Sequence, residues 1–160
     1  MLGNSAGSTS INMNNNAITN PSNITFANDV KLPSSTANPN INIGNNNLTS
    51  SIANKTNIAI GSGIMIGAMT AAAEGNFGIG TSTLQGITSG ANNLGIGQVS
   101  LGVTSGSNNI GIGYQSGQSV GTGSNNTIIG GQAGSFVSNQ SNNTLIGKGA
   151  NVRFNSDWCN

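Results

Sequence analysis

The sequence predicts an all-β protein, a parallel β-solenoid (a β-roll or β-prism) built from coils of about 17 residues. One asparagine recurs at intervals of 17, 17, 19, 17, 16, 17 and 17 residues, and each begins a short apolar alternation. Only 34% of the chain is hydrophobic and 4% charged, which leaves a thin stacked core rather than a thick globule or an ordinary disordered chain. The repeated residues are Asn23, Asn40, Asn57, Asn76, Asn93, Asn109, Asn126 and Asn143.

The alternation after each asparagine predicts a strand whose large aliphatic side chains point inward. The inward column comprises Phe26, Ile43, Ile60, Ile79, Ile96, Ile112, Ile129 and Ile146. A second column lies two residues earlier, at Ile24, Ile41, Ile58, Phe77, Leu94, Ile110, Thr127 and Thr144. Between the columns stand Gly78, Gly95 and Gly111, which favour a close backbone approach, and we expect a neighbouring chain there.

A further set of columns predicts the second half of each coil. The apolar members are Ile87, Val103, Val120, Val137 and Phe154, and the small members are Thr83, Ser100, Ser116, Ala133 and Ala150. Polar turns rich in Ser, Thr and Gly follow them. One coil is therefore predicted as a strand, a glycine turn, a second short strand and a polar turn.

The repeat divides the chain into three segments. Residues 1–22 are predicted as an N-terminal attachment or capping segment, 23–154 as the solenoid and 155–160 as a C-terminal cap. An exposed solenoid end needs a cap, and either Trp158 over Phe154 or a docked partner provides it. The 19-residue coil from Gly61 to Gly80 is either a wider coil with extra core, our preferred interpretation, or a contact loop on a binding face.

A single chain has only a few aliphatic side chains per coil with which to form a core. We therefore expect a homotrimer, intertwined or side by side, in which identical chains cover the remaining surface. Cys159, the only cysteine, is either an inert terminal thiol or a cross-link between identical chains.

Chemistry-bearing residues are scarce. The chain has no histidine, and its acidic residues, Asp29, Glu74 and Asp157, fall in different coils. The sequence therefore assigns no catalytic, cofactor-binding, metal-binding or ligand-binding residue, and we expect no enzyme and no cofactor. A net charge of +1 without a basic stripe argues against nucleic-acid binding, and no run is long enough for a membrane span.

The asparagines themselves allow two interpretations. Stacked amides can hydrogen-bond along a solenoid, which we favour. Glycan attachment is the alternative at the sequons, which begin at Asn23, Asn47, Asn54, Asn125, Asn139 and Asn142.

Several segments resemble known fibrous families. The repeated Asn-x-Ile-Gly-Ile-Gly pattern resembles the head repeats of trimeric autotransporter adhesins, which are left-handed parallel β-rolls of three chains. The segment 108–116, Asn-Asn-Ile-Gly-Ile-Gly-Tyr-Gln-Ser, looks still more like repeats of viral tail-fibre proteins. The segment 11–20 is similar to the strand motif that begins many phage fibre segments. The resemblance covers most of residues 10–154.

This resemblance implies a structural fibre or spike component of a virion. Its expected partners are other virion or fibre proteins at its ends and a host-surface receptor or glycan. The alternative is a bacterial cell-surface trimeric adhesin head, or an extracellular matrix protein, located outside the cell. The sequence shows no anchor segment, coiled-coil stalk or export signal, which favours the virion. An ice-binding solenoid would need a regular threonine array, and Thr127 with Thr144 does not make one.

Overall fold

One seven-stranded parallel sheet runs through the part of the chain described by the computed structural model, residues 40–48 and 56–152. Its strands are β1 (Ile41–Asn45), β2 (Ile58–Ser62), β3 (Phe77–Thr81), β4 (Leu94–Ile96), β5 (Ile110–Ile112), β6 (Thr127–Ile129) and β7 (Thr144–Ile146). Each strand pairs with the next in sequence order, and these residues contain no helix. The predicted parallel β-solenoid of about 17-residue coils is therefore confirmed for this part of the chain.

The register follows the sequence repeat. Ile41 pairs with Ile58, and Ile58 in turn pairs with Phe77, so equivalent positions stack directly above one another. The apolar alternation ends at a glycine because the chain turns there with a positive φ, a conformation that other residues rarely adopt. At Gly61, for example, φ is +138°, and an added Cβ would collide with the carbonyl oxygen of Gly80.

The second half of the coil is not a strand, so that part of the prediction is wrong. Leu84 and Leu101 have φ values of 51° and 57°, and Gly117 has 60°. These left-handed residues interrupt the extended conformation that a strand needs. In the described residues, an isolated bridge between Val103 and Gly121 is all that forms where the second strand was predicted.

The predicted orientation of the strands is also wrong. Ile43 and Ile146 are 51% and 67% exposed, and the isoleucines between them in this column are half-buried. The fully buried strand position is instead the middle one, occupied by Ala59, Gly78, Gly95, Gly111 and Ile128. The strands therefore turn their two large apolar columns outward and their small middle column inward.

Large side chains from the segment that follows each strand, which we call the opposite wall, explain this inversion. They occupy the interior that the strand isoleucines were expected to fill. Met65, Leu84 and Leu101 are fully buried there. A Cβ added at Gly95 would lie 3.3 Å from Leu84 Cγ, and one at Gly111 would lie 3.0 Å from Leu101 Cβ.

The size relation reverses in the next coils. The opposite wall carries Gly117 and Gly134, and the strand supplies Ile128, whose Cδ1 lies 3.0 Å from a Cβ built at Gly117. Each layer thus combines a large residue from one wall with a small one from the other, as close packing requires.

The other predicted core columns are confirmed where the structure describes them. Ile87, Val103, Val120 and Val137 are fully buried, and Thr83, Ser100, Ser116 and Ala133 are buried with them. Ala150, the last member of the small column, is half-buried and packs against the core. The residues Phe26, Phe154, Trp158 and Cys159 lie outside the described residues, as do segments 1–22 and 155–160.

The longest coil carries its two extra residues in a turn. Ala73 N donates to Thr70 O across 3.0 Å, and Ala71 and Ala72 between them are exposed. Met69 packs against the core, and Ala73 is fully buried. This coil therefore combines additional core with a small exposed turn.

Candidate functional site

A buried asparagine ladder joins the coils. Asn57, Asn76, Asn93, Asn109 and Asn126 are at most 1% exposed. The Oδ1 of Asn93 accepts two hydrogen bonds from Asn109, from its backbone N and its Nδ2, each 3.0 Å long. The Nδ2 of Asn109 also donates to Gly123 O at 2.9 Å.

The same pattern repeats from Asn57 through Asn126, and Asn143 continues it by donating to Asn126 Oδ1. Buried polar groups are tolerated in a thin core only when they are hydrogen-bonded in this way. The ladder interpretation of the asparagine column is therefore confirmed, and these residues are structural.

The residue before each ladder asparagine explains the paired asparagines of the sequence. Asn92, Asn108, Asn125 and Asn142 have φ values of 57°, 58°, 59° and 64°. Asparagine tolerates this left-handed conformation better than most residues, and Gly75 takes the same place before Asn76.

The sequon asparagines differ in their exposure to solvent. Asn47 is 5% exposed, and its Nδ2 donates to Asn42 Oδ1 and Gly61 O at 3.1 and 3.0 Å, so it is closed to a glycan. Asn125, Asn139 and Asn142 are exposed. Asn23 and Asn54 lie outside the described residues.

The outer side of the sheet is the other notable surface, which we call the strand face. It consists of two columns of outward-pointing side chains on β1 to β7. The first column is Ile41, Ile58, Phe77, Leu94, Ile110, Thr127 and Thr144, and the second is Ile43, Ile60, Ile79, Ile96, Ile112, Ile129 and Ile146. Large apolar side chains therefore fill all of this face except the two threonine positions, and solvent reaches every rung.

Charge is absent from the strand face. In the described residues the charged side chains are Glu74 and Lys148, and both stand outside the strands. An uncharged, contiguous apolar stripe of this kind is typical of a surface that associates with another molecule.

The glycine column does not form a contact between chains, which corrects the expectation for Gly78, Gly95 and Gly111. All three are buried in the interior of their own chain. A Cβ at Gly78 would lie 2.6 Å from Ile64 Cγ2, and one at Gly95 would lie 2.5 Å from Thr83 Cγ2. The close approach that the glycines indicated is real, but the approaching atoms belong to the same chain.

The described residues also bear on other kinds of site. They hold no group of three or more His, Cys, Asp or Glu side chains arranged to bind a metal ion. Nor does any helix among them have the length and hydropathy to cross a membrane.

Sequence reasoning missed the strand face because it assigned the isoleucines to the core. The signal that could have revealed it is size complementarity between the walls. Where the centre of the strand is glycine, a leucine, Leu84 or Leu101, lies opposite it. Where the centre of the strand is Ile128, Gly117 lies opposite it.

No protein-family model, characterised protein or solved structure matches this chain. The resemblance to tail-fibre and adhesin repeats therefore stays a prediction.

Proposed function

We propose that this chain is a structural fibre or spike component of a virion. The observation that carries the proposal is the linear stack of coils. Each strand of the sheet contacts only its neighbours in sequence order, so the fold extends in one direction. Six strand spacings of roughly 4.8 Å give the described sheet a length of about 29 Å.

Rigidity supports a role in projection from a particle. Two sets of hydrogen bonds connect successive coils. Parallel strand pairing runs from β1 to β7, and the asparagine ladder joins the residues that precede the strands. Bending the stack would stretch bonds whose donors and acceptors are buried, and such groups are costly to leave unpaired. A stack of this kind suits a rod that holds its ends at a fixed separation.

The proposed rod contains three chains. Other virion or fibre proteins adjoin its ends, and a host-surface receptor or glycan meets its outer surface. Gln98, Tyr114 and Gln132 are exposed on that surface, and an aromatic ring among amides suits a neutral, hydroxyl-rich ligand.

Immunogold electron microscopy tests the proposed location. Antibodies raised against the purified chain should label projections on virus particles from the source culture, and peptides of the chain should appear in purified particles. Labelling of bacterial surfaces with unlabelled particles would overturn the virion assignment and favour the adhesin alternative.

A further inference from the structure

One corner of the coil carries a break in an otherwise continuous row of side chains. The row consists of the residues that directly follow the glycine at the end of each apolar alternation, which are Asn45, Ser62, Thr81, Gln98, Tyr114, Gly131 and Lys148. Backbone hydrogen bonds stack the coils at the break, because Gln132 N donates to Tyr114 O at 2.8 Å and Gly149 N donates to Gly131 O at 3.0 Å. Gly131 alone lacks a side chain, so it leaves a gap between Tyr114 and Lys148, which we call the glycine notch.

Neither backbone conformation nor packing requires glycine at residue 131. Gly131 is not among the glycines with a positive φ. In the described residues, a Cβ built there would have one heavy atom within 4 Å beyond its chain neighbours, Tyr114 O at 3.9 Å, which is an ordinary contact. At the preceding Gly130, by contrast, φ is +131° and a Cβ would lie 2.5 Å from Gly147 O. The effect of Gly131 is therefore to keep the notch open.

The side chains around the notch combine an aromatic ring with amides. Tyr114 is 51% exposed and is the only tyrosine of the chain. In the adjacent column Gln132 Nε2 donates to Gln115 Oε1 at 3.5 Å, which leaves Gln115 Nε2 and Gln132 Oε1 without a partner among the described residues. Lys148, the only cationic side chain in the described residues, is exposed on the far side of the notch. The notch thus presents one ring, several donors and an acceptor.

We propose that the glycine notch binds one pyranose ring of a neutral glycan, stacked on Tyr114. This inference rests on the proposed function, in which a glycan meets the outer surface, and names the site and the ligand class. The C–H face of a sugar ring is apolar, whereas its hydroxyl groups both donate and accept, so it matches an aromatic ring beside amides. A single exposed ammonium group contributes little to holding an anion, so Lys148 acts as a donor to a hydroxyl group.

The dimensions of the notch set the number of sugar rings. Tyr114 and Lys148 are two coils apart, which places their Cα atoms about 9.6 Å from each other at roughly 4.8 Å per coil. A ring held between two side chains needs a contact of about 4 Å on each side, or about 8 Å in all, and a second stacked ring would need about 12 Å. The notch therefore accepts one ring, and the rest of the glycan extends into solvent.

A single fluorine label tests the binding. Because Tyr114 is the only tyrosine, the full chain labelled with 3-fluorotyrosine carries its fluorine at the notch alone. Titration with the methyl pyranosides of glucose, galactose, mannose and N-acetylglucosamine should shift the fluorine NMR resonance saturably for at least one of them. The absence of a saturable shift with every sugar would overturn the inference.

A matched pair of glycine variants tests the position of the site. Gly131→Gln should fill the notch and weaken binding about tenfold or more, with an unchanged thermal midpoint. Gly86→Gln is the control and should bind as the unchanged chain does, because Gly86 is also exposed, has no positive φ and has no atom closer than 3.8 Å to a built Cβ. Full binding by Gly131→Gln, or an equal loss in Gly86→Gln, would overturn the assignment of the notch.

Two further variants test the ring and the charge, with binding followed from the sugar signals. Tyr114→Ala should weaken binding about tenfold, whereas Phe136→Ala, which removes an aromatic side chain 64% exposed in another column, should not. Lys148→Gln keeps a donor and removes the charge, so affinity should change less than about twofold. A loss in Lys148→Gln as large as that in Tyr114→Ala would overturn the neutral class of ligand.

These outcomes are separate from the location of the chain. A chain found in virions that binds none of the sugars would overturn this inference and leave the proposed function intact. A chain that binds a sugar at the notch but is absent from virions would overturn the proposed function and leave the site.

Discussion

At the scale of single residues, the buried asparagines show how a thin core can contain polar groups. Asn109 Oδ1 accepts from the backbone N and Nδ2 of Asn126, at 3.0 and 2.9 Å. We expect Asn109→Ala to lower the free energy of unfolding by about 3 kcal/mol, because these donors would remain buried without an acceptor. Urea denaturation measures the loss. The exposed Ser105→Ala should change stability by less than about 0.5 kcal/mol, and equal losses would contradict a structural ladder.

Val99 presents a different residue-scale feature, a β-branched side chain at φ 54°. Its counterpart in the first coil is Asn46, at φ 52°. The left-handed conformation costs a β-branched residue roughly 1–2 kcal/mol, which asparagine largely avoids. Val99→Asn should therefore raise the thermal midpoint, with a gain of about 1 kcal/mol. Gln98→Asn is the neighbouring control without a positive φ, and a lowered midpoint for Val99→Asn alone would disprove the strain at residue 99.

At the scale of the elements, the strand and the opposite wall determine each other's side-chain size. A Cβ added at Gly95 would lie 2.5 Å from Thr83 Cγ2. Gly95→Ala should thus destabilise the fold by about 1–3 kcal/mol through overpacking. Thr83→Ser removes that methyl group and keeps the hydroxyl, as Ser100 does one coil later. In a double-mutant cycle the pair should recover about 1 kcal/mol, and strictly additive losses would contradict the contact.

The elements also show what the sequence could and could not predict. The asparagine period located every described strand, its neighbours and its register, because one-coil spacing places equivalent residues in adjacent rungs. Alternation defined two faces of each strand but not which one is inside. Assigning Ile96 and Ile112 to the core assumed that the interior was empty opposite them. Leu84 and Leu101 occupy it, and their left-handed backbone has no signal in apolar periodicity.

At the scale of the whole molecule, Asn143 is the last member of the asparagine ladder in the described residues. Among the described residues no donor reaches Asn143 Oδ1, although the equivalent atom of each buried ladder asparagine accepts two hydrogen bonds. Trp158 lies outside the described residues, and its role as part of a cap stays a prediction. We expect its fluorescence to be blue-shifted and resistant to iodide in the assembled protein. Emission typical of water-exposed indole, readily quenched, would exclude such a cap.

The outward strand face is the central claim for the molecule, and a matched pair of substitutions tests it most directly. Val103 is fully buried, whereas Ile96 is only half-buried on the strand face. Thermal unfolding followed by circular dichroism should show that Val103→Asp loses about 4 kcal/mol or more, because its charge is buried without a partner. Measured at a protein concentration low enough to keep the chains separate, Ile96→Asp should lose about 1 kcal/mol, the cost of a poor strand former, and keep the β signal at room temperature. A larger loss for Ile96→Asp than for Val103→Asp would contradict the inverted arrangement of the two faces.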